Sequence, residues 1–209
     1  MLLDHDHTAA LLAQARAGAC GPVSPSRPEA CGGDTVAIVA LDDDGHAVSL
    51  IQSLFWSFGA GVLEPRTGIL CHNRGAAFSL DRGVPNALRG GARPPHTLMP
   101  VLVLRGDAVV GAHGTRGGLA QPQIHLQVLL HLLRGASATD AVTAPRWIVD
   151  EHDRLCIERD ASVAAHGAAD LPARADATGH AQVVRRTSAG ALEAGSDPRA
   201  QAAGTVVER

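Results

Sequence analysis

Thr35 is the residue whose position lends itself most directly to chemistry. It follows Gly32-Gly33-Asp34 and opens the apolar run Val36-Ala37-Ile38-Val39-Ala40-Leu41. A threonine hydroxyl is a weak nucleophile until a base sits beside it. Scission between Asp34 and Thr35 would free an α-amino group on the same residue and so supply that base. Uncut, Thr35 is an ordinary hydroxyl at the head of a strand. A second feature is the glycine-rich stretch Gly114-Thr115-Arg116-Gly117-Gly118, just ahead of a helical pattern. Backbone N–H groups there suit an oxyanion hole or form no more than a tight turn.

Other chemistries find less support. The sequence contains no Lys, which rules out a Walker phosphate loop and every lysine-based mechanism. The glycine-rich stretch lacks the order of a dinucleotide fingerprint and follows an antiparallel hairpin pattern. Gly-x-Ser-x-Gly does not occur. His5 and His7 lie near the start, while His125 and His131 are too far apart to share one helix face, so the eleven histidines offer no metal-ligand spacing. Asp42-Asp43-Asp44 lacks the remaining ligands of a calcium loop and reads as a solvated turn. Cys20, Cys31, Cys71 and Cys156 are scattered and read as reduced thiols. Neither a metal nor an organic cofactor is expected. Phe55-Trp56-Ser57-Phe58 is the one aromatic cluster; it reads as core or pocket wall, and Trp56 could line a substrate cleft.

The elements that must position these residues follow from periodicity. Thr8 to Gly18 has helical spacing, and residues 19–34, with Pro22, Pro25 and Pro28, form an exposed, irregular segment that a cleavage reaction can reach. Val36–Leu41 reads as a strand buried on both faces. Asp44-Gly45 turns it into a return strand over Ala47–Phe55, where Val48, Leu50 and Leu54 are set against Ser49, Gln52 and Ser53. Gly68–Cys71 is a short strand and Phe78 to Arg93 a loop. A second hairpin pairs Met99–Leu104 with Ala108–Ala112. Helices follow over about Gln121 to Arg134 and, capped by Ser137, over Ala138–Ala144. Leu155–Ile157, Ala181–Val184 and Leu192–Gly195 read as strands, and Ala161 to Ala177 as irregular. This order predicts an α+β fold with helices packed on an antiparallel sheet.

The length of 209 residues suits one domain, and 45% hydrophobic content is enough for a core. A net charge of −3 argues against nucleic acid or an anionic membrane as partner. No run approaches the ~20 apolar residues of a membrane span. Met1 to His7 is acidic and unlike a signal peptide, so the chain by itself reads as cytoplasmic.

Together these segments resemble the small subunit of the γ-glutamyltransferases (glutathione hydrolases), a family of N-terminal nucleophile (Ntn) hydrolases. The resemblance runs from about Gly32 to Asp150 and returns at Gly179-His180 and Gly195-Ser196-Asp197-Pro198-Arg199. It rests on Asp34-Thr35, Asp44-Gly45-His46-Ala47-Val48-Ser49, Phe58-Gly59-Ala60-Gly61, Thr67-Gly68-Ile69-Leu70, Arg93-Pro94, Met99-Pro100, Gly117-Gly118, Leu126-Gln127-Val128-Leu129-Leu130 and Ala144-Pro145-Arg146. It implies an αββα layered sandwich, of which this chain holds the small-subunit part. Residues 1–34 would be the tail of the large-subunit region and the cleavage linker, and 35–209 the catalytic region. Thr35 falls on the nucleophile, which first cuts the zymogen after Asp34 by autoproteolysis. Ser53 falls on the hydroxyl that positions it, and Gly117 and Gly118 on the oxyanion hole.

Several positions depart from the family pattern. His96-Thr97 stands in place of a Ser-Ser pair that binds the substrate carboxylate. Phe55 stands where Asn is common. Arg74 and Ala77 stand where an acidic or amide residue and an Asp hold the substrate's ammonium; Arg74 repels that group and Ala77 cannot pair with it. The resemblance implies an amide hydrolase and acyltransferase acting on γ-glutamyl peptides or glutathione, with Phe55, Arg74, His96 and Thr97 at the substrate. The alternatives are cephalosporin or glutaryl acylase-like specificity on the same chemistry, or a non-catalytic remnant that at most binds a large subunit. The expected partners are that large subunit and a small acyl-amide substrate.

Overall fold

A computed structural model describes residues 35–150, 152–163, 165–200 and 203–207. The helix read over residues 8–18 and the segment 19–34 lie outside the described residues.

Strands β1 (Thr35–Leu41) and β2 (Ala47–Ser53) form an antiparallel hairpin, with Leu41 opposite Ala47 and Thr35 opposite Ser53. Its turn is closed by Asp42, whose N–H donates to the His46 carbonyl at 3.0 Å and whose carboxylate accepts the His46 N–H at 2.8 Å. The turn's sharp reversal is taken by Gly45 at φ +87°, as the Asp-Gly signal predicts.

A four-stranded antiparallel sheet lies beside the hairpin. It runs β11 (Leu192–Ser196), β10 (His180–Arg186), β6 (Ala108–Arg116), β5 (Val101–Arg105). Helices α1 (Gln121–Leu133) and α2 (Ala138–Thr143) cover the sheet's other face. Ile124 and Val128 of α1, Ala138, Ala141 and Val142 of α2, and Ala181 and Val183 of β10 make the core between them. The described residues therefore supply helix, sheet and sheet, three layers of the αββα expectation.

A smaller sheet of β7 (Trp147–Val149), β8 (Leu155–Glu158) and β9 (Ala169–Leu171) abuts this core through Ile148 and Cys156. Two α1 side chains act as a surrogate strand for β7. The Gln127 amide donates to the Trp147 carbonyl and accepts the Trp147 N–H, and Gln123 does the same for Val149. A strand edge is thereby satisfied from a helix.

Three expectations need correction. First, β1 is not covered on both faces. Val36, Ile38, Val48 and Leu50 of the hairpin are all more than half exposed, while Ala37, Val39, Ser49 and Ile51 face the four-stranded sheet. Small inner residues are required because the layers approach closely: a Cβ on Gly114 would stand 2.8 Å from the Ala37 Cβ. The bulky residues are left on the outer face. Second, β6 continues to Arg116 rather than ending at Ala112, because β10 pairs along it as far as His180 opposite Arg116. Third, β9 lies inside the stretch read as irregular, in parallel register with β8. Main-chain pairing holds it, and Leu171 alone of its side chains packs on the core.

Short features without a counterpart in the sequence reading include β3 (Leu63–Glu64), which pairs with β4 (Ile69–Leu70), the strand β7, and a 3₁₀ turn over Arg74–Ala77. Among the described residues no helix is long and apolar enough to cross a membrane.

Candidate active site

Thr35 and Ser53 are directly opposed across the hairpin, so their side chains share one face. The Thr35 hydroxyl donates to Ser53 Oγ at 2.7 Å. The same Ser53 oxygen accepts the Phe55 N–H at 3.0 Å, which fixes it relative to the chain that follows. Phe55 itself has φ +79°. For a bulky aromatic this is an outlier costing on the order of 1–3 kcal/mol, and it persists only where neighbours enforce it. Here Asn73 does so: its side-chain oxygen accepts the Trp56 N–H at 3.0 Å, and its N–H donates to the Leu54 carbonyl at 3.0 Å. Phe55 and Trp56 stack, with ring centroids 5.5 Å apart.

Arg74, the residue after Asn73, places its guanidinium 4.0 Å from the Phe55 ring centroid. Only 7% of Arg74 is exposed. Its Nη2 donates to Thr97 Oγ1 at 3.2 Å, and its Nη1 is buried with no hydrogen-bond partner among the described residues. Burial pushes the guanidinium pKa down. Phe55, Arg74 and Thr97 thus converge. His96 does not join them: it is exposed, and its Nδ1 accepts the Leu98 N–H.

The glycine pair lies at the same end of the stacked sheets as Thr35. Arg186, adjacent to the partner of Gly111, reaches the Asp42 carbonyl at 2.8 Å. Further along β6, the His113 carbonyl accepts from Ser49 at 2.7 Å, and Gly114 lies on Ala37. Contacts therefore move from the hairpin turn towards Thr35 as β6 runs towards Gly117. Gly117 then turns the chain into a 3₁₀ turn, Gly118–Ala120, ahead of α1. A Cβ on Gly117 would sit 2.7 Å from Ile124 Cδ1, and one on Gly179 only 2.3 Å from the Arg116 carbonyl oxygen. The turn is closed by two backbones packed where no side chain fits.

A buried ionic network holds that packing. Arg146 Nη1 donates to the Gly179 carbonyl at 3.1 Å, and its Nη2 pairs with Asp197 at 2.5 Å. Asp197 also pairs with Arg199 at 3.0 Å and accepts the Ala181 N–H at 2.9 Å. Arg199 bonds the Glu158 carboxylate, which further accepts from Thr178 Oγ1 at 2.6 Å and the Arg146 N–H at 2.9 Å. Burial raises the Glu158 pKa, but the Arg199 and Thr178 hydrogen bonds outweigh it and leave the carboxyl below its usual range. Ala144-Pro145-Arg146, Gly179-His180 and Ser196–Arg199, noted separately in the sequence, are one structural unit. Glu158 and Thr178 had not been singled out. The signal that could have found them is the need of two buried arginines for two carboxylates.

Comparison with known proteins identifies the family of the chain. The model of the gamma-glutamyltranspeptidase family aligns with residues 3–207. The chain belongs to the gamma-glutamyltranspeptidase family. An oxamate amidohydrolase proenzyme of Klebsiella pneumoniae is 37% identical over 186 residues, covering 82% of this chain and 35% of the relative. A glutathione hydrolase-like proenzyme of Bacillus subtilis is 34% identical over 196 residues, covering 86% of this chain and 37% of its own. The chain thus spans little more than a third of the length of the curated relatives it matches. Among solved structures, cephalosporin acylase from Bacillus halodurans superposes with TM-score 0.75 at 33% identity over 83% of this chain and 34% of that one. A Pseudomonas nitroreducens gamma-glutamyltranspeptidase does so with TM-score 0.68 at 27% identity over 85% of this chain and all of that one. The fold is therefore the Ntn-hydrolase fold of the gamma-glutamyltranspeptidases.

The structure gathers the expected site residues unevenly. Thr35 with Ser53, Phe55 with Arg74 and Thr97, and the Gly117-Gly118 turn are ordered by specific contacts. Asp34 lies outside the described residues, and His96 stands apart.

Proposed function

We propose that this chain is the small-subunit, nucleophile-bearing part of a gamma-glutamyltranspeptidase-type amide hydrolase and acyltransferase. The observation that carries this reading is the 2.7 Å hydrogen bond that orients the Thr35 hydroxyl on Ser53 at the head of β1. In the first step the Thr35 hydroxyl attacks the Asp34 carbonyl, the acyl group passes from nitrogen to oxygen, and water hydrolyses the ester. Thr35 is then the N-terminus of a chain covering 35–209, and 1–34 remains with the large subunit as its tail and linker.

Catalysis uses the same atoms. The freed α-amine, with an ordinary pKa of ~8, takes the Thr35 hydroxyl proton as the oxygen attacks the substrate amide. The Gly117 and Gly118 N–H groups stabilise the oxyanion, each worth on the order of 3 kcal/mol. The amine returns the proton to the leaving nitrogen, and water or an acceptor amine then takes the acyl group from Thr35. Neither a metal nor an organic cofactor enters these steps.

The natural partner in this reading is a large subunit. The exposed Val36, Ile38, Val48 and Leu50 support it, since an apolar sheet face is covered in stable assemblies. Mass spectrometry of the expressed protein tests the reading: Thr35→Ala should abolish scission after Asp34, and scission that persists in this variant would refute it.

The family's γ-glutamyl chemistry and acylase-type specificity share this mechanism. Relatives named for oxamate and cephalosporin substrates show that family membership leaves the acyl group open, and Arg74 is the residue that bears on it.

A further inference from the structure

We infer that His125 is a positioning residue for the proposed site, a buried crosspiece on α1 that fixes the glycine turn against the segment carrying Thr97; this rests on the acyl-transfer reading above. His125 Nε2 lies 2.9 Å from the Met99 carbonyl oxygen and 3.1 Å from Thr115 Oγ1. The carbonyl can only accept, so Nε2 carries the ring proton. Burial holds the ring's pKa at about 4, which keeps it neutral in this one tautomer near pH 7. Thr115 Oγ1 donates in turn to Gln121 Oε1 at 3.3 Å. Thr115 and Gln121 flank the turn that contains Gly117 and Gly118, so their bond clips that turn across its base.

The link stands where the main chain makes none. Strands β5 and β6 pair as far as Val101 opposite His113. The same register would bring Met99 opposite Thr115, but Pro100 has no N–H for the ladder and the pairing stops. His125 closes the gap with a side chain, as Gln123 and Gln127 of the same helix do for β7. Two residues before Met99, Thr97 Oγ1 holds Arg74, and Arg74 lies on the Phe55 ring. The Phe55 N–H is on Ser53 Oγ, which takes the Thr35 hydroxyl. His125 thereby joins the two halves of the site, glycine turn and nucleophile. Thr115, Gln121 and His125 are all buried, and Gln121 Nε2 and His125 Nδ1 have no hydrogen-bond partner among the described residues. Buried polar atoms left unpaired make such a cluster a poor source of stability. What it supplies is a fixed distance between two segments.

The test uses the assembled, processed enzyme with γ-glutamyl p-nitroanilide. His125→Leu replaces the ring by an apolar side chain, and His125→Gln puts back an N–H donor. His125→Leu should lower kcat at least tenfold while KM moves less than threefold, and His125→Gln should recover most of the loss. Thr115→Val cuts the same link from its other end and should lower kcat by a similar factor. The double variant should then cost less than threefold beyond the worse single one. Should His125→Leu fail to fold, Thr115→Val carries the same test with Thr115→Ser as its rescue. An unchanged kcat, a loss confined to KM, or losses that multiply in the double variant would overturn the inference.

Hydrogen exchange read by mass spectrometry separates this from the catalytic reading. His125→Leu should raise exchange at least tenfold in the peptides covering residues 97–99 and 115–118 together, and His125→Gln should restore both. That coupled rise in an enzyme whose wild type turns over no acyl amide would refute the acyl-transfer reading and leave the link standing. Exchange that rises in one segment alone, or in neither, would refute the link itself.

Discussion

Thr35 and Ser53 face each other as the last pair of the first hairpin, and the Ser53 oxygen that receives the Thr35 hydroxyl is itself held by the Phe55 N–H. One oxygen therefore sets the rotamer of the proposed nucleophile and ties it to the strained turn that carries the aromatic pair. Ser53→Ala should slow both scission after Asp34 and substrate turnover by about fivefold, the scale of one hydrogen bond of ~1 kcal/mol, while Ser53→Thr should retain most of the rate. Rate measurements on the two variants side by side check this.

The two glycines of the proposed oxyanion hole should respond differently to alanine. At Gly117 the added Cβ meets Ile124 Cδ1 at 2.7 Å, and the backbone at φ +157° disfavours a side chain. Gly118, at φ +54°, has open space where its Cβ would go. Gly117→Ala should lose at least a hundredfold in turnover by displacing the N–H groups. Gly118→Ala should cost about 1 kcal/mol of stability, from its backbone alone. Thermal melts and kinetics together separate the two.

Much of the frame that carries these residues is legible in the sequence, and the exceptions have physical causes. Asp44-Gly45 fixes the first hairpin, and Ser137 caps α2 as read, its oxygen accepting the Asp140 N–H at 3.0 Å. The facing of β1 and β2 is not legible, because both faces carry apolar residues and what decides is the close approach of Gly114 to Ala37, residues far apart in sequence. Gly114-Thr115-Arg116 has loop composition, yet β10 pairs along it and makes it strand. The convergence of Phe55, Arg74 and Thr97 follows from Asn73 pinning the turn after β2, a contact with no local signature. His96 and Thr97 are neighbours in sequence, but only Thr97 reaches the cluster.

The ionic network behind Gly179 should govern stability. Arg146→Met leaves Asp197 buried beside a single arginine, and Arg199→Met leaves Glu158 without its main partner. Each should destabilise by about 3–5 kcal/mol, measurable as a lower urea midpoint. Arg74→Gln, outside this network, should shift the midpoint far less.

Acid should act first on a pair of histidines. His113 of β6 and His125 of α1 stack with centroids 6.2 Å apart, and burial holds both at about 4. Unfolded, each returns to ~6.5 and binds a proton the native state excludes. Stability from this pair is complete above pH ~6.5 and is lost as pH falls towards 4. The carboxylates with depressed values, Glu158 among them, should contribute their loss at lower pH. Denaturant midpoints between pH 7 and 4.5 should fall in the wild type, and His113→Phe should flatten that fall.

The central claim is that Thr35 becomes an N-terminal nucleophile, and intact mass after a slow acyl donor tests it most directly. The account predicts a fragment beginning at Thr35 that gains one acyl group, mapped by peptide sequencing to that threonine and absent after Thr35→Ala. A chain that remains joined through Asp34-Thr35, or an acyl group on any other residue, would contradict it.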